Sequence, residues 1–191
     1  MKKLLLLLLL APGAAYSQTL QIPIDSITHK IDYQEVVNAN GLSKGELYLK
    51  THEWLARTFK SATEMVQMDD ELAGKIVAKG STAAYYPLSL GKPPFNMFYN
   101  MIITIKDGRY RYELTDFEVL EFPNNFNSLH PERITVDDLV TNPKSKKANG
   151  EYRAAPSYYL SAINNYSTII SQTLKEALAP PAQGAKSKDD F

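Results

Sequence analysis

His52-Glu53, inside the stretch LKTHEWLARTF from Leu49 to Phe59, has the first two letters of a zinc-hydrolase signature. That signature, H-E-x-x-H on a helix, needs a second imidazole one turn further on, so that two rings reach one ion while the glutamate activates water. The position is occupied by Ala56. The other histidines, His29 and His130, lie ahead of a strand and in a Pro-bounded loop, with no ligand spacing between them. No metal site is expected, because histidines without convergent spacing serve as surface or core residues.

The remaining reactive side chains fare no better. Asp69-Asp70-Glu71 lacks the alternating D-x-D-x-D-G order that turns oxygens toward one calcium ion, and it reads as a solvated hairpin turn. Asp137-Asp138 reads as helix capping. Serine hydrolysis has no G-x-S-x-G elbow and no histidine placed by motif. The nine glycines are scattered through turns, without a phosphate-loop or dinucleotide pattern. No catalytic residue, cofactor or metal ligand is therefore assigned.

The first seventeen residues, MKKLLLLLLLAPGAAYS, combine Lys2 and Lys3, an apolar run from Leu4 to Leu10, and a Pro12-Gly13 break. They read as a secretory signal peptide, with Ala15 and Ser17 at the small-residue positions and cleavage before Gln18. The apolar run is too short for the roughly 20 residues of a membrane span. Cleavage leaves 174 of the 191 residues, enough for one domain with a substantial core. With no cysteine, disulfides and thiolate chemistry are excluded, as is a lipid-modified cysteine, and a bacterial envelope is the favoured destination. The mature chain carries 19 basic against 21 acidic residues, so it lacks the surplus a nucleic-acid binder draws on. The basic run Lys144-Ser145-Lys146-Lys147 sits among Asn and Pro and reads as a solvated loop.

Helix signals are strongest around the opening stretch. Ser43 and Glu46 have capping-box spacing, and Leu42 and Leu47 bracket them as a hydrophobic staple. Helical stepping from Leu47 collects Thr51, Trp54, Leu55, Thr58 and Phe59 on the core side, and sets Glu53 and Arg57 as an i,i+4 pair on the wet side. Ahead of it, KIDYQEVVNAN alternates as a strand, and TEMVQMDD and GKIVAKGSTAAYY read as two more around a turn from Asp69 to Gly74.

Asp107-Gly108 sets the register of a further hairpin. Lys106 opposite Arg109 places Ile105, Ile103 and Met101 against Tyr110, Tyr112 and Leu114 on one apolar side. Thr104 and Ile102 then meet Arg111 and Glu113 on the other, largely polar side. At Tyr99 opposite Asp116 the alternation breaks, which predicts a bulge or the end of pairing. A second long helix from Pro156 carries Leu160, Ile163, Tyr166, Ile170, Leu174 and Leu178 in a stripe. The 123 to 156 segment reads as a long connection with a short turn at Asp137 to Val140, and residues 179–191 as a disordered tail.

These elements predict an α+β fold: an antiparallel sheet of about five strands with two helices on one face, in the order β-α-β-β-β-β-α. The same order describes half of a TATA-binding-protein saddle. On GLSKGELYLKTHEWLARTF, MVQMDDELAGKIVAKG and IITIKDGRYRYELTDFEV, the sequence resembles exported Bacteroidota proteins of the domain of unknown function 4468 with TBP-like fold. The resemblance covers Ile31 to Val119 and, less specifically, the last helix. It implies a fold and an exported setting, and assigns no functional residue. The organisation expected is a signal peptide over 1–17, an extension over 18–30, one TBP-like domain over 31–178 and the tail.

Twelve tyrosines are the one compositional feature suited to recognition, because an amphipathic ring fits peptide or glycan surfaces. Tyr110 and Tyr112 have core assignments. Tyr85, Tyr86 and Tyr99, around YYPLSLGKPPFNMFY, together with Arg111 and Glu113 of the polar sheet side, form the candidate contact surface. The function expected is a non-enzymatic binding or assembly module meeting a protein or glycan in the periplasm or at the cell surface, with no nucleic acid partner and no membrane span. The alternative is an enzyme or enzyme accessory acting on envelope glycans or peptides.

Overall fold

The computed structural model describes residues 20–84, 95–121 and 132–181. The leader, Tyr85, Tyr86, His130 and most of the expected tail lie outside the described residues. β1 (Tyr33–Asn38) leads into α1 (Lys44–Thr58), followed by the single turn α2 (Ala62–Met65), β2 (Val66–Asp70), β3 (Lys75–Ala84), β4 (Phe95–Lys106) and β5 (Arg109–Glu121). β6 (Glu132–Thr135), α3 (Val136–Thr141), a 3-10 turn at Pro143–Ser145 and α4 (Ala154–Ala177) complete the order. All neighbouring strands are antiparallel, in the order β1-β5-β4-β3-β2, with β6 added on β5.

α1 begins where the sequence places it. Ser43 Oγ accepts from the Glu46 amide at 3.3 Å, while a Glu46 carboxylate oxygen accepts from the Ser43 amide at 2.7 Å. A third cap comes from the hairpin: the Lys44 amide donates to Asp107 Oδ1 at 2.8 Å. At the same tip the Gly108 amide donates to the Leu42 carbonyl, and Gly108 returns its own carbonyl to the Ala39 amide. Gly108 has a φ of +70°, a region in which a side chain would be strained. The β4–β5 turn is thus latched onto the start of the first helix.

Trp54 is 4% exposed, meets Phe59 edge-to-face at 5.6 Å, and donates its indole N–H to Thr173 Oγ1 on α4 at 3.3 Å. α1 and α4 cover one side of the sheet together. Thr58, expected inside, is exposed, because the helix ends there and the chain leaves through Phe59 in extended backbone. Glu53 and Arg57 do pair, at 3.6 Å on the wet face.

The β4–β5 register is the predicted one, pair for pair from Lys106↔Arg109 to Met101↔Leu114. Of the two outcomes allowed at Tyr99, the bulge is the one that occurs. Asn100 pairs with Thr115 but Phe98 with Glu118, so β5 carries an extra residue there while pairing continues to Asn96↔Leu120. Asp116 occupies the bulge at φ +52°, and both its carboxylate oxygens are engaged, by Lys30 Nζ at 2.6 Å and Asn100 Nδ2 at 2.8 Å. Those bonds offset the cost of a left-handed conformation in a residue with a Cβ. The outer edge of β5 also changes partner at this point, from β1 up to Leu114 to β6 from Glu118.

The connection expected over 123 to 156 is more ordered than the sequence suggested. It holds β6, making six strands, and a full helix α3 where a turn was expected; Val136 and Val140 sink its inner side into the core. Asp137 does not cap its own helix. Its Oδ1 accepts from the Ile31 amide at 2.8 Å and ties the N-terminal segment to α3. Asp69 and Asp70 end β2 instead of forming the turn, which is confined to Glu71–Gly74, and α4 starts two residues before Pro156.

Candidate functional site

Strand alternation separates the sheet into a covered and an uncovered face. From β4, Phe95, Met97, Tyr99, Met101, Ile103 and Ile105 point into the core, and all are buried. Their alternates Phe98, Asn100, Ile102 and Thr104 point to the side without helices and are half-buried. Register carries this face across the sheet. One row runs Gln34, Glu113, Ile102, Val77 and Met68; the next runs Val36, Arg111, Thr104, Lys75 and Asp70.

The uncovered face is therefore a mosaic. Ile102, Val77 and Met68 make an apolar lane over three adjacent strands, ending at the exposed Met68 on the sheet edge. Arg111 and Glu113 lie beside it and pair with each other at 2.5 Å. Beyond the bulge, Arg133 of β6 covers the Phe98 ring at 4.3 Å and bonds Glu118 at 2.7 Å. Such a surface has anchors and directional polar groups, as contact surfaces do.

Of the five residues expected in the contact surface, Arg111 and Glu113 lie on this face. Tyr85 and Tyr86 lie outside the described residues. Tyr99 is a correction, since it is 2% exposed on the covered face. Its hydroxyl meets that of Tyr166 at 2.7 Å, its ring stacks on Phe117, and burial pushes the phenol's pKa well above its usual value. The ring fits because residue 80 is glycine: a Cβ there would stand 2.1 Å from the Tyr99 ring. Period-two counting back from Ile105 would have placed Tyr99 inside.

A second grouping joins residues that the sequence kept apart. His52 Nε2 lies 3.2 Å from Asp69 Oδ1, and the Tyr48 hydroxyl donates to the same oxygen. The Tyr48 and His52 rings are 4.9 Å apart. α1 presents Tyr48 and His52 one turn apart toward the β2 edge, so the partner of the His52-Glu53 histidine is a strand carboxylate and not a second helical histidine. An aspartate orienting an imidazole is a general-base arrangement. Among the described residues, no group of three or more His, Cys, Asp or Glu side chains is placed to hold a metal ion.

A family model described as a domain of unknown function (DUF4468) with TBP-like fold matches residues 33–119. A TBP-like protein from Parabacteroides distasonis ATCC 8503 superposes with a TM-score of 0.65 at 18% identity, over 86% of this chain and 99% of its own. A DUF4468 family protein from Bacteroides ovatus ATCC 8483 gives 0.65 at 14% identity, over 87% and 92%. At such identities the likeness carries the fold: a TBP-like, antiparallel α+β architecture. No curated protein matches the sequence. Among the described residues no helix is long and apolar enough to cross a membrane.

Proposed function

We propose that this protein, whose residues 33–119 match the DUF4468 domain with TBP-like fold, is exported and works in the cell envelope as a non-enzymatic binding or assembly module. The helix-free sheet face receives a protein partner. The observation that carries the reading is the Ile102, Val77 and Met68 lane flanked by Arg111 and Glu113, a surface that no element of the described chain covers. The export reading rests on the leader sequence, and the choice of a protein over a duplex rests on the absent basic surplus.

Photo-cross-linking in intact cells from a probe at Thr104 tests the surface, and N-terminal sequencing of the mature chain tests export. Expected are a cross-linked product that Met68→Lys and Val77→Lys each abolish without lowering the melting temperature, and a first residue of Gln18. Identical cross-linking in both variants, or a cytosolic chain with its leader intact, would overturn the proposal. The enzyme reading has one observation in its favour, the His52–Asp69 pair. It would require His52→Ala to abolish a hydrolysis of envelope glycan or peptide that the unaltered protein performs.

A further inference from the structure

α4 has a second business besides covering the sheet. Its outer side carries Ser157, Ser161, Asn164, Asn165 and Thr168, which form one wall of a groove of about 1470 Å³. The facing walls are Leu20–Ile22 and the loop from Lys146 to Tyr152. At Thr168 the groove continues into a cleft of about 260 Å³ between α4 and β1, lined among others by Tyr33, Glu35, Ser167 and Lys175. From Ser157 to Lys175 the helix rises roughly 27 Å at 1.5 Å per residue.

Two observations indicate what this trough accepts. Most of its charged groups are engaged within it: Lys147 pairs with Glu151 at 3.1 Å, Glu35 takes Lys175 at 3.0 Å and the Tyr112 hydroxyl at 2.9 Å, and the Lys146 ammonium lies 5.0 Å over the Tyr152 ring. The α4 wall itself is neutral hydroxyl and amide chemistry. Second, Ser167 is 1% exposed in the cleft, and its Oγ has no hydrogen-bond partner. Other helical hydroxyls satisfy themselves on their own helix, as Thr51 does on Leu47, Thr168 on Asn164 and Ser171 on Thr168. Ser167 does not, although a buried hydroxyl left unmet is destabilising. Asp32, in the same cleft, also holds an unpartnered buried carboxylate oxygen.

We infer that the trough along α4 is a binding site for an uncharged polyhydroxylated ligand, a neutral glycan chain lying along the helix. Sugar hydroxyls both donate and accept, which suits a wall of Ser, Thr and Asn and meets the open valences of Ser167 and Asp32. The Tyr152 ring also lines the groove, with the Lys146 ammonium over one of its faces at 5.0 Å. A peptide would need deep apolar anchor pockets, and the α4 wall offers Ser, Asn and Thr side chains instead.

Titration calorimetry on the mature chain with maltohexaose, cellohexaose and chitohexaose tests this, with a neutral hexapeptide and a polyanionic oligosaccharide alongside. Saturable binding of at least one neutral hexaose is expected, weakened tenfold or more by Ser161→Leu and by Asn165→Leu. Both positions are off the core-facing stripe, so melting should hold. Ser167→Ala should weaken binding severalfold without lowering the melting temperature, which separates a ligand partner from a structural one. The inference is overturned if none of the three hexaoses binds, if both leucine variants bind unchanged, or if only the peptide or the polyanion binds. None of these outcomes bears on the sheet-face partner, whose variants lie on the opposite side.

Discussion

The covered and uncovered faces of the β3–β4–β5 sheet come from the same strands and differ only in residue parity. On the covered face every β4 position is fixed by its neighbours' volume: Met97 and Ile103 are fully enclosed, and Tyr99 exists there only because Gly80 leaves room. On the uncovered face, Val36 and Met68 are 58% and 41% exposed at the two sheet edges, and nothing in the described chain needs their shape. One parity answers to packing, where a single methylene is felt. The other is free to answer to whatever the protein meets.

Substitutions should therefore separate by parity. Trp54→Ala removes the indole that links α1 to α4 and should cost about 3–5 kcal/mol in chemical denaturation, as large aromatic truncations do. Gly80→Ala drives a methyl into the Tyr99 ring and should cost about 1–3 kcal/mol, with non-additive recovery when Tyr99→Leu is added. Ser43→Ala removes one of three caps on α1 and should cost about 1 kcal/mol. On the uncovered face, Met68→Ser and Val36→Thr should shift stability by no more than about 0.5 kcal/mol. A loss comparable to Gly80→Ala at either site would break the division.

Titration sharpens the same comparison at the bulge. The Lys30 ammonium, assisted by Asn100, holds the Asp116 carboxyl below its ordinary pKa. Its contribution is therefore complete above the unfolded value near 4 and is lost as pH falls through the lower folded value. Burial raises the Asp32 and Asp137 carboxyls instead, so their penalty grows as pH climbs out of the ordinary carboxylate range. Asp116→Asn should flatten the acid limb of a plot of melting temperature against pH. Asp32→Asn should raise the melting temperature at neutral pH and leave that limb in place. The effect at Asp116 is the smaller one, since its pair with Lys30 is solvent-screened.

What could be read from the sequence was what is written locally. The capping box, the Asp107-Gly108 register and the inward Trp54 each rest on residues within a turn or one hairpin, and each is found. Features depending on distant partners were not legible. Alternation from Ile105 already turns Tyr99 inward, but the room for its ring is made by Gly80, a vacancy visible only once β3 and β4 are paired. β6 is four residues long with one outward arginine, too short for its alternation to register, and its reason for pairing is the β5 edge that β1 leaves free beyond Leu114. The His52–Asp69 contact and the trough along α4 likewise require the tertiary fold to bring their walls together.

The latch between the Asp107-Gly108 tip and the start of α1 has a consequence for a chain made from its N-terminus. Everything it joins, from Ala39 to Gly108, is synthesised before the first residue of α4. Half of the roof is then in place while Phe95 and Tyr99, whose rings meet Tyr158, Tyr159 and Tyr166 of α4 in the finished fold, still face water. During that interval the nascent sheet is adhesive. A protein stopped before Ala154 should retain the latched helix yet sediment as aggregate.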